Sequence, residues 1–458
     1  MRAAGRLGAA LLVAGSLGGS AEAADFKIGS YGRMGSTWAE GGAAGAPLDI
    51  GTHHTRTDLD PYAELDFVFT EAMDSGARFR AVLTPAIAGQ PFHATGDWDA
   101  DLAVRNLYAE VHRFVDAPVS AWVGSRMWRG DDVYLLNFWP LDNLNTAGAG
   151  FGVHPKGWSI DAHAGASRPR AGGLLDQSLG FPLPDAVGTE SVRVLDRQRG
   201  VAAARVARQL GLPGDLTLRL SGYAEWHGIP EGTRFADERT AEALPGDRGS
   251  IVGVQASAWG WGPDSFAHLW LRRGTGVDIP GTLFLPTDGL GPDRRLADAR
   301  EHLIAIAGNT EGPGNWGVLW GGYARLYRDA DTNQTADWDD VGEGALVLRP
   351  AWHLTRHTSA TVELSHQWRT STGVSPRSGL PGTPRVTRVV VGPTIQPRKS
   401  GLSRPQLRAF YAYGFRNDDA RWLYAAADAR FLSNHDHRVG VQAEWWMDSA
   451  TYRPAGSP

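Results

Sequence analysis

Cysteine is absent from all 458 residues, so no disulfide can staple the fold and no thiolate can hold a metal. Lysine is scarce: Lys27, Lys156 and Lys399 are the only three, against a large arginine complement. Bases are outnumbered by acids, 45 to 50, and the formal charge of −5 disfavours a nucleic-acid partner. Beyond the first two dozen residues no apolar run reaches the roughly 18 residues of a membrane helix, which excludes helical spans. The 14 histidines form no H-E-x-x-H pattern or equivalent, and neither a metal site nor a cofactor is expected.

What is present is apolar and aromatic. With 42% hydrophobic residues, 58 Gly and 18 Trp, the composition excludes disorder and fits either a globular protein or a membrane barrel. The first residues stand apart: Arg2 and Arg6, an apolar run "LGAALLVAGSLGG", then Ala21-Glu22-Ala23 ahead of Ala24. A charged start, a short apolar core and an A-x-A site make residues 1–23 a secretory signal peptide, too short to anchor in a bilayer. The mature chain is expected to begin near Ala24, with a barrel domain over 24–447 and a tail over 448–458.

Period two recurs along the mature chain. In "YAELDFVFT" Ala63, Leu65, Phe67 and Phe69 share one face, opposed by Tyr62, Glu64, Asp66 and Thr70. In "LTLRLSGYAEW" Leu216, Leu218 and Leu220 oppose Arg219, Ser221, Tyr223 and Glu225, and near the end Val439, Val441 and Trp445 oppose Gln442, Glu444 and Trp446. One face is apolar; the other is polar and punctuated by rings. Strands of about ten residues joined by long Gly/Pro/Asp loops, such as 167–199 and 274–300, fit a transmembrane barrel with its apolar band outside. The length accommodates roughly 16–18 such strands.

The stretch "WRGDDVYLLNFWPLDN", residues 128–143, is too apolar for a solvated loop, yet Pro140 excludes helix and central strand. Extended to "GSRMWRGDDVYLLNFWPLDNLNTAGAG", it is similar to the inward-folded third loop of the maltoporin family of sugar-specific outer-membrane porins. The resemblance continues in family order through "YGRMGSTW" (31–38), "YAEL" (62–65), "GDW" with "VRNLYAEV" (96–111), "LRPAWHLTRHTSATVEL" (348–364), "SRPQLRAFYAY" (403–413) and "GVQAEWW" (440–446). Gly130, Asn137 and Leu402 depart from the family pattern.

The resemblance implies an all-β fold: an antiparallel barrel of eighteen strands, trimeric, with residues 128–149 folded into the lumen as a constriction loop. It also implies a channel for maltodextrin-like oligosaccharides in the outer membrane of a Gram-negative bacterium. Sugar rings present flat C–H patches suited to aromatic faces, and their hydroxyls need donors and acceptors. The implied aromatic slide comprises Tyr31, Tyr62, Trp139 and Trp446, with Trp98 reaching in from a neighbouring subunit and Phe284 as a weaker candidate. The implied polar track is Arg33, Arg56, Glu64 and Arg105, with Asp131 and Asp132 at the constriction.

Plainer readings stand beside these. Trp and Tyr in barrels ordinarily form interface girdles, and Trp445, on the apolar face, is assigned there. The stretch 329–340, "DADTNQTADWDD", has acids spaced as in a calcium loop but lacks its central Gly and final Glu, and is read as a solvated turn. A general diffusion porin is the alternative within the class. A secreted β-rich glycoside hydrolase is the alternative outside it, although Asp131 and Asp132, as sequence neighbours, are poorly placed to flank a glycosidic bond.

Overall fold

Alternating apolar and polar residues produce long strands here, and the strands close on themselves. The computed structural model describes residues 24–39, 50–55, 61–73, 75–90, 99–114, 117–167, 177–182, 189–194, 199–235, 241–277, 284–286, 291–293, 295–332, 340–373, 381–424, 426 and 429–449. The wall consists of β1 Asp25–Ala39, β2 Tyr62–Ala72, β3 Arg78–Gln90, β4 Asp99–His112, β5 Val119–Arg129, β6 Asn143–Val153, β7 Trp158–Ser167, β8 Arg199–Gly211 and β9 Thr217–Ile229. It continues through β10 Asp247–Trp259, β11 Phe266–Gly276, β12 Arg300–Glu311, β13 Trp316–Arg328, β14 Val341–His353, β15 Thr358–Ser371, β16 Arg385–Ile395, β17 Gln406–Arg416 and β18 His435–Met447.

Each strand pairs antiparallel with the next, and β1 returns to β18 from Ser30↔Met447 to Ala39↔Arg438, giving a closed sheet of 18 strands. Closure leaves no edge, so every backbone group of the wall can be paired within lipid. Strand ends at one rim are joined by short connections, 73–77, 154–157, 312–315 and 354–357, and strand ends at the other by long ones, 40–61, 168–198, 230–246 and 277–299. Short turns at one rim and long loops at the opposite, outer rim are the asymmetry of outer-membrane barrels.

The burial pattern is inverted relative to a water-soluble protein. Glu64, Asp66, Glu301, Glu343 and Glu363 are buried inside the ring, with Glu301 at 0% exposure, while Leu102 is 73% exposed on the outside. Leu65, Val123, Leu326 and Val439 are likewise exposed. A belt of exposed aliphatic side chains around a whole ring is stable only against hydrocarbon.

Among the described strand pairings the register shifts at one place. Between β3 and β4 the register shifts from Thr84↔Asn106 to Pro85↔Val104, so Arg105 is an extra residue. Leu102 and Val104 face outward before the bulge and Leu107 faces outward after it. The bulge therefore turns Arg105 away from lipid, where parity with Leu107 would have placed it, and into the lumen.

The interior core gathers Tyr31, Val133, Leu135, Phe138, Trp270, Tyr323 and Leu402, drawn from wall and inward segments together. Two further pieces lie off the wall: the pair Gly232–Phe235 with Ala241–Leu244, and a small sheet of Gln177–Pro182, Thr189–Val194 and Phe284–Pro286. The proposed signal peptide and most of the tail after Met447 lie outside the described residues.

Candidate functional site

Of the stretch 128–149, only a narrower span leaves the wall and packs against its buried side chains. Trp128 and Arg129 end β5, and Asn143–Val153 pairs with it as β6, with Asn145 and Phe151 exposed on the outer face and Leu144 and Thr146 buried on the inner one. The inward segment is 130–142. Its neck is held by Gly130 N–H donating to the Asp142 carbonyl at 2.9 Å, and its tip by Val133 N–H donating to the Phe138 carbonyl at 2.7 Å around a short 3₁₀ turn, Tyr134–Leu136. Asn137 and Asp142 take left-handed backbone, with φ 50° and 54°.

Wall strands grip this segment from several directions. Arg219 and Gln255 both bond Asp131, Arg205 Nη1 donates to Asp142 Oδ2 at 2.8 Å, and Arg272 Nη1 donates to the Pro140 carbonyl at 2.6 Å. On the β13 side Val133 fills the space that a side chain at Gly321 would need: a Cβ there would lie 2.7 Å from Val133 Cγ1. Burial pushes the Asp131 carboxyl up, but His268, Arg219 and Arg205 together outweigh it and hold the group below the usual carboxylate range. Asp132 is buried beside it.

Around β1, β2 and β18 a row of rings forms. Tyr31 sits opposite Trp446 in the β1–β18 register, and its ring lies 6.0 Å from that of Tyr62. Tyr134, from the inward segment, meets Trp446 edge-on at 5.9 Å. Cations flank the row: Arg33 and Arg105 lie 5.6 and 5.8 Å from the Tyr62 ring, and Arg404 lies 4.3 Å from that of Trp446. Two carboxylates complete it. Glu64 accepts from Tyr62 Oη and faces Arg105 Nε at 3.3 Å; Glu444 accepts from Tyr31 Oη at 3.3 Å, from Tyr134 Oη, and from Arg404 Nε at 3.0 Å.

Of the residues picked from sequence, Tyr31, Tyr62, Trp446, Arg33, Glu64 and Arg105 are thus brought together. Trp139 packs on the same apolar core, with the Arg129 guanidinium 4.0 Å from its ring. Arg56 and Trp98 lie outside the described residues. Phe284 is on the small sheet beyond the wall, paired with Thr189–Val194, and is not part of a barrel strand. Trp445 points outward, covers Gly32 and donates from Nε1 to Ser30 Oγ at 3.0 Å. Of the 329–340 stretch, residues 333–339 lie outside the described residues; the Asp340 carboxylate bonds Arg328 and the Asp329 N–H, and no metal-binding cluster occurs among the described residues.

Sequence reasoning missed Tyr134, Arg404 and a second inward segment, 50–55. Ile50 and Gly51 N–H share Gln367 Oε1 at 3.1 and 3.3 Å, Thr52 N–H donates to Glu343 Oε1 at 3.2 Å, and His53 N–H donates to Tyr323 Oη at 3.2 Å. The His53 ring stacks on Phe138 of the 130–142 segment at 3.7 Å and 19°. "RP" after Ser403 was a visible signal for Arg404; 50–55 carries no motif, since its contacts are mostly backbone.

Burial, with Arg325, Arg272 and His54 nearby, holds the His53 imidazole well below its ordinary value of 6.5. A histidine depressed on docking takes up its proton only when undocked, so the docked state is fully favoured above about pH 6.5 and loses stability as pH falls through that value. Hydrogen exchange of residues 50–55 should therefore accelerate from pH 7.5 to pH 5 beyond the intrinsic rate change. His53→Phe should remove that excess; a wild-type profile without it would refute the coupling.

The profile of the LamB porin family matches residues 26–446, nearly the whole wall. The chain belongs to the LamB porin family. It is a porin, a barrel channel of the outer membrane, and the maltoporin resemblance of the sequence is met by this match. Solved structures similar to this porin include the outer membrane channel DcaP of Acinetobacter baumannii, with 9% identity, TM-score 0.47, and 93% of this chain and 97% of that chain covered. OpdK of Pseudomonas aeruginosa, crystallised with vanillate, shows 10% identity and TM-score 0.41 over 92% and 98% of the two chains. A trimer form of OmpT of Vibrio cholerae shows 12% identity and TM-score 0.37 over 93% and 100%. No curated protein matches this porin in sequence.

Proposed function

We propose that this porin conducts linear, maltodextrin-like oligosaccharides along the lumenal row of aromatic rings. The observation that carries the reading is the contiguous set Tyr31, Tyr62, Trp446 and Tyr134, edged by Glu64, Glu444 and arginines. Rings offer C–H stacking while the charged groups beside them replace hydroxyl hydration, the two demands of a sugar path. The 130–142 segment, gripped from β8–β11 and reaching β13 and β18, is read as the constriction. A homotrimer, with Trp98 contributed across subunits, belongs to the same proposal.

The test is single-channel recording in a planar bilayer with a saccharide panel. Linear α-glucans should block the current in a saturable, length-dependent way, with monosaccharides weak or silent. No block by any saccharide would replace this reading with general diffusion.

A further inference from the structure

The outer surface of the barrel carries cations where a lipid-facing wall has no evident use for them. Arg273 on β11, Arg300 on β12 and Arg328 on β13 all face outward near the long-loop rim, as does His302. They are also paired with one another: Arg300 is the cross-strand partner of Arg328, and Arg273 of His302. The guanidinium groups of Arg300 and Arg328, set directly opposite on one sheet face, repel. Asp340 faces Arg328 Nη1 at 2.9 Å, but Arg273 and Arg300 have no carboxylate partner among the described residues.

Immediately below the patch, toward the membrane centre, a groove of about 870 Å³ opens in the same face, lined by Val252, Val254, Leu271, Ile304 and Leu326 with Arg273 and His302 at its polar end. Gly222 helps to form it, since a Cβ there would meet nothing within 4 Å. Its size is that of a site for a whole small molecule. A second external groove, of about 460 Å³ between Met34, Ile395, Leu407 and Val441, has no outward-facing arginine in its lining. In the first groove, by contrast, Arg273 and His302 belong to the lining itself.

We propose that this face is a binding site for a phosphate-bearing anionic lipid of the outer leaflet, with the phosphate between Arg273, Arg300 and His302 and an acyl chain along the groove. The vertical order of charge above hydrocarbon matches that of a lipid in the leaflet. Fork-shaped guanidinium donors suit phosphate oxygens, and bound phosphate cancels the repulsion between Arg300 and Arg328. A second copy of the porin bringing the same face would add to that repulsion.

The test uses the full-length porin in detergent micelles, titrated with dioleoyl phosphatidic acid, dioleoyl phosphatidylcholine or inorganic phosphate and followed by native mass spectrometry. Phosphatidic acid should give a saturable one-lipid adduct held more tightly than phosphatidylcholine. The double variant Arg273→Gln with Arg300→Gln should weaken it by about fivefold per arginine, roughly 25-fold together. The matching Lys pair should recover most of the affinity, and Arg208→Gln, at the opposite rim, should change nothing. Equal binding of the two lipids, an unchanged double variant, or competition by inorganic phosphate without lipid retention would each overturn the proposal.

Discussion

Trp446→Ala and Trp139→Ala should each weaken saccharide-induced current block by about three- to tenfold, the value of about 0.5–1.5 kcal/mol that aromatic stacking adds beyond area burial. Single-channel conductance should fall little or rise, because each change widens the lumen. The two sites differ in what they disturb. Trp446 also carries Arg404 over its ring and meets Tyr134, so its loss loosens a cluster centred on Glu444, whereas Trp139 carries Arg129 alone. Trp446→Ala is accordingly expected at the upper end of the range. Trp445→Ala is the control, since that ring covers Gly32 on the lipid side. Unchanged block in both variants, or an equal loss in the control, would remove the slide from the proposed function.

Glu301→Gln should be the most damaging single change in the wall. Glu301 Oε1 accepts from Arg272 Nε at 3.0 Å, and its Oε2 faces Arg325 Nη1 at 3.3 Å. Arg325 Nη2 in turn faces Glu343 Oε1 at 3.1 Å, the same oxygen that receives Thr52 N–H. With Arg272 also bonded to the Pro140 carbonyl, one buried chain of charges ties segment 130–142 to segment 50–55 through the wall. Removing the central carboxylate leaves two buried guanidinium groups competing for what remains, and breaking a buried ion pair in this way costs about 3–5 kcal/mol. A urea or thermal midpoint well below wild type is expected, together with larger and noisier conductance as Pro140 is released. Wild-type stability with wild-type conductance would show that the inward segments are held elsewhere.

Much of this porin was legible before any coordinates. The alternation of Glu64 and Asp66 with Leu65 and Phe67 fixes which residues face lipid, because side chains on a strand have period two and only one face can meet hydrocarbon. The absence of cysteine and of apolar helices then leaves hydrogen-bonded closure as the way to hold such strands in a bilayer. That Tyr31 shares the polar face with Arg33, and Gln442 with Glu444 and Trp446, followed from the same rule.

Other features depended on contacts between residues far apart in the chain, and no local pattern encodes those. The number of strands is set when Ser30 meets Met447, a pairing across the length of the wall. Arg105 reaches the lumen only because a bulge opposite Pro85 interrupts the alternation that would have sent it into lipid beside Leu107. Segment 50–55 docks through backbone N–H groups that any sequence possesses, onto Gln367 and Glu343 that only the closed ring brings within reach. Tyr134 and Arg404 join Trp446 for the same reason: Glu444 can serve both only after the loop, the turn before β17 and the last strand converge in the lumen. Local periodicity thus determined the two faces of the wall, while tertiary closure decided what stands inside it, since burial of charge is tolerated only where partners from distant strands arrive together.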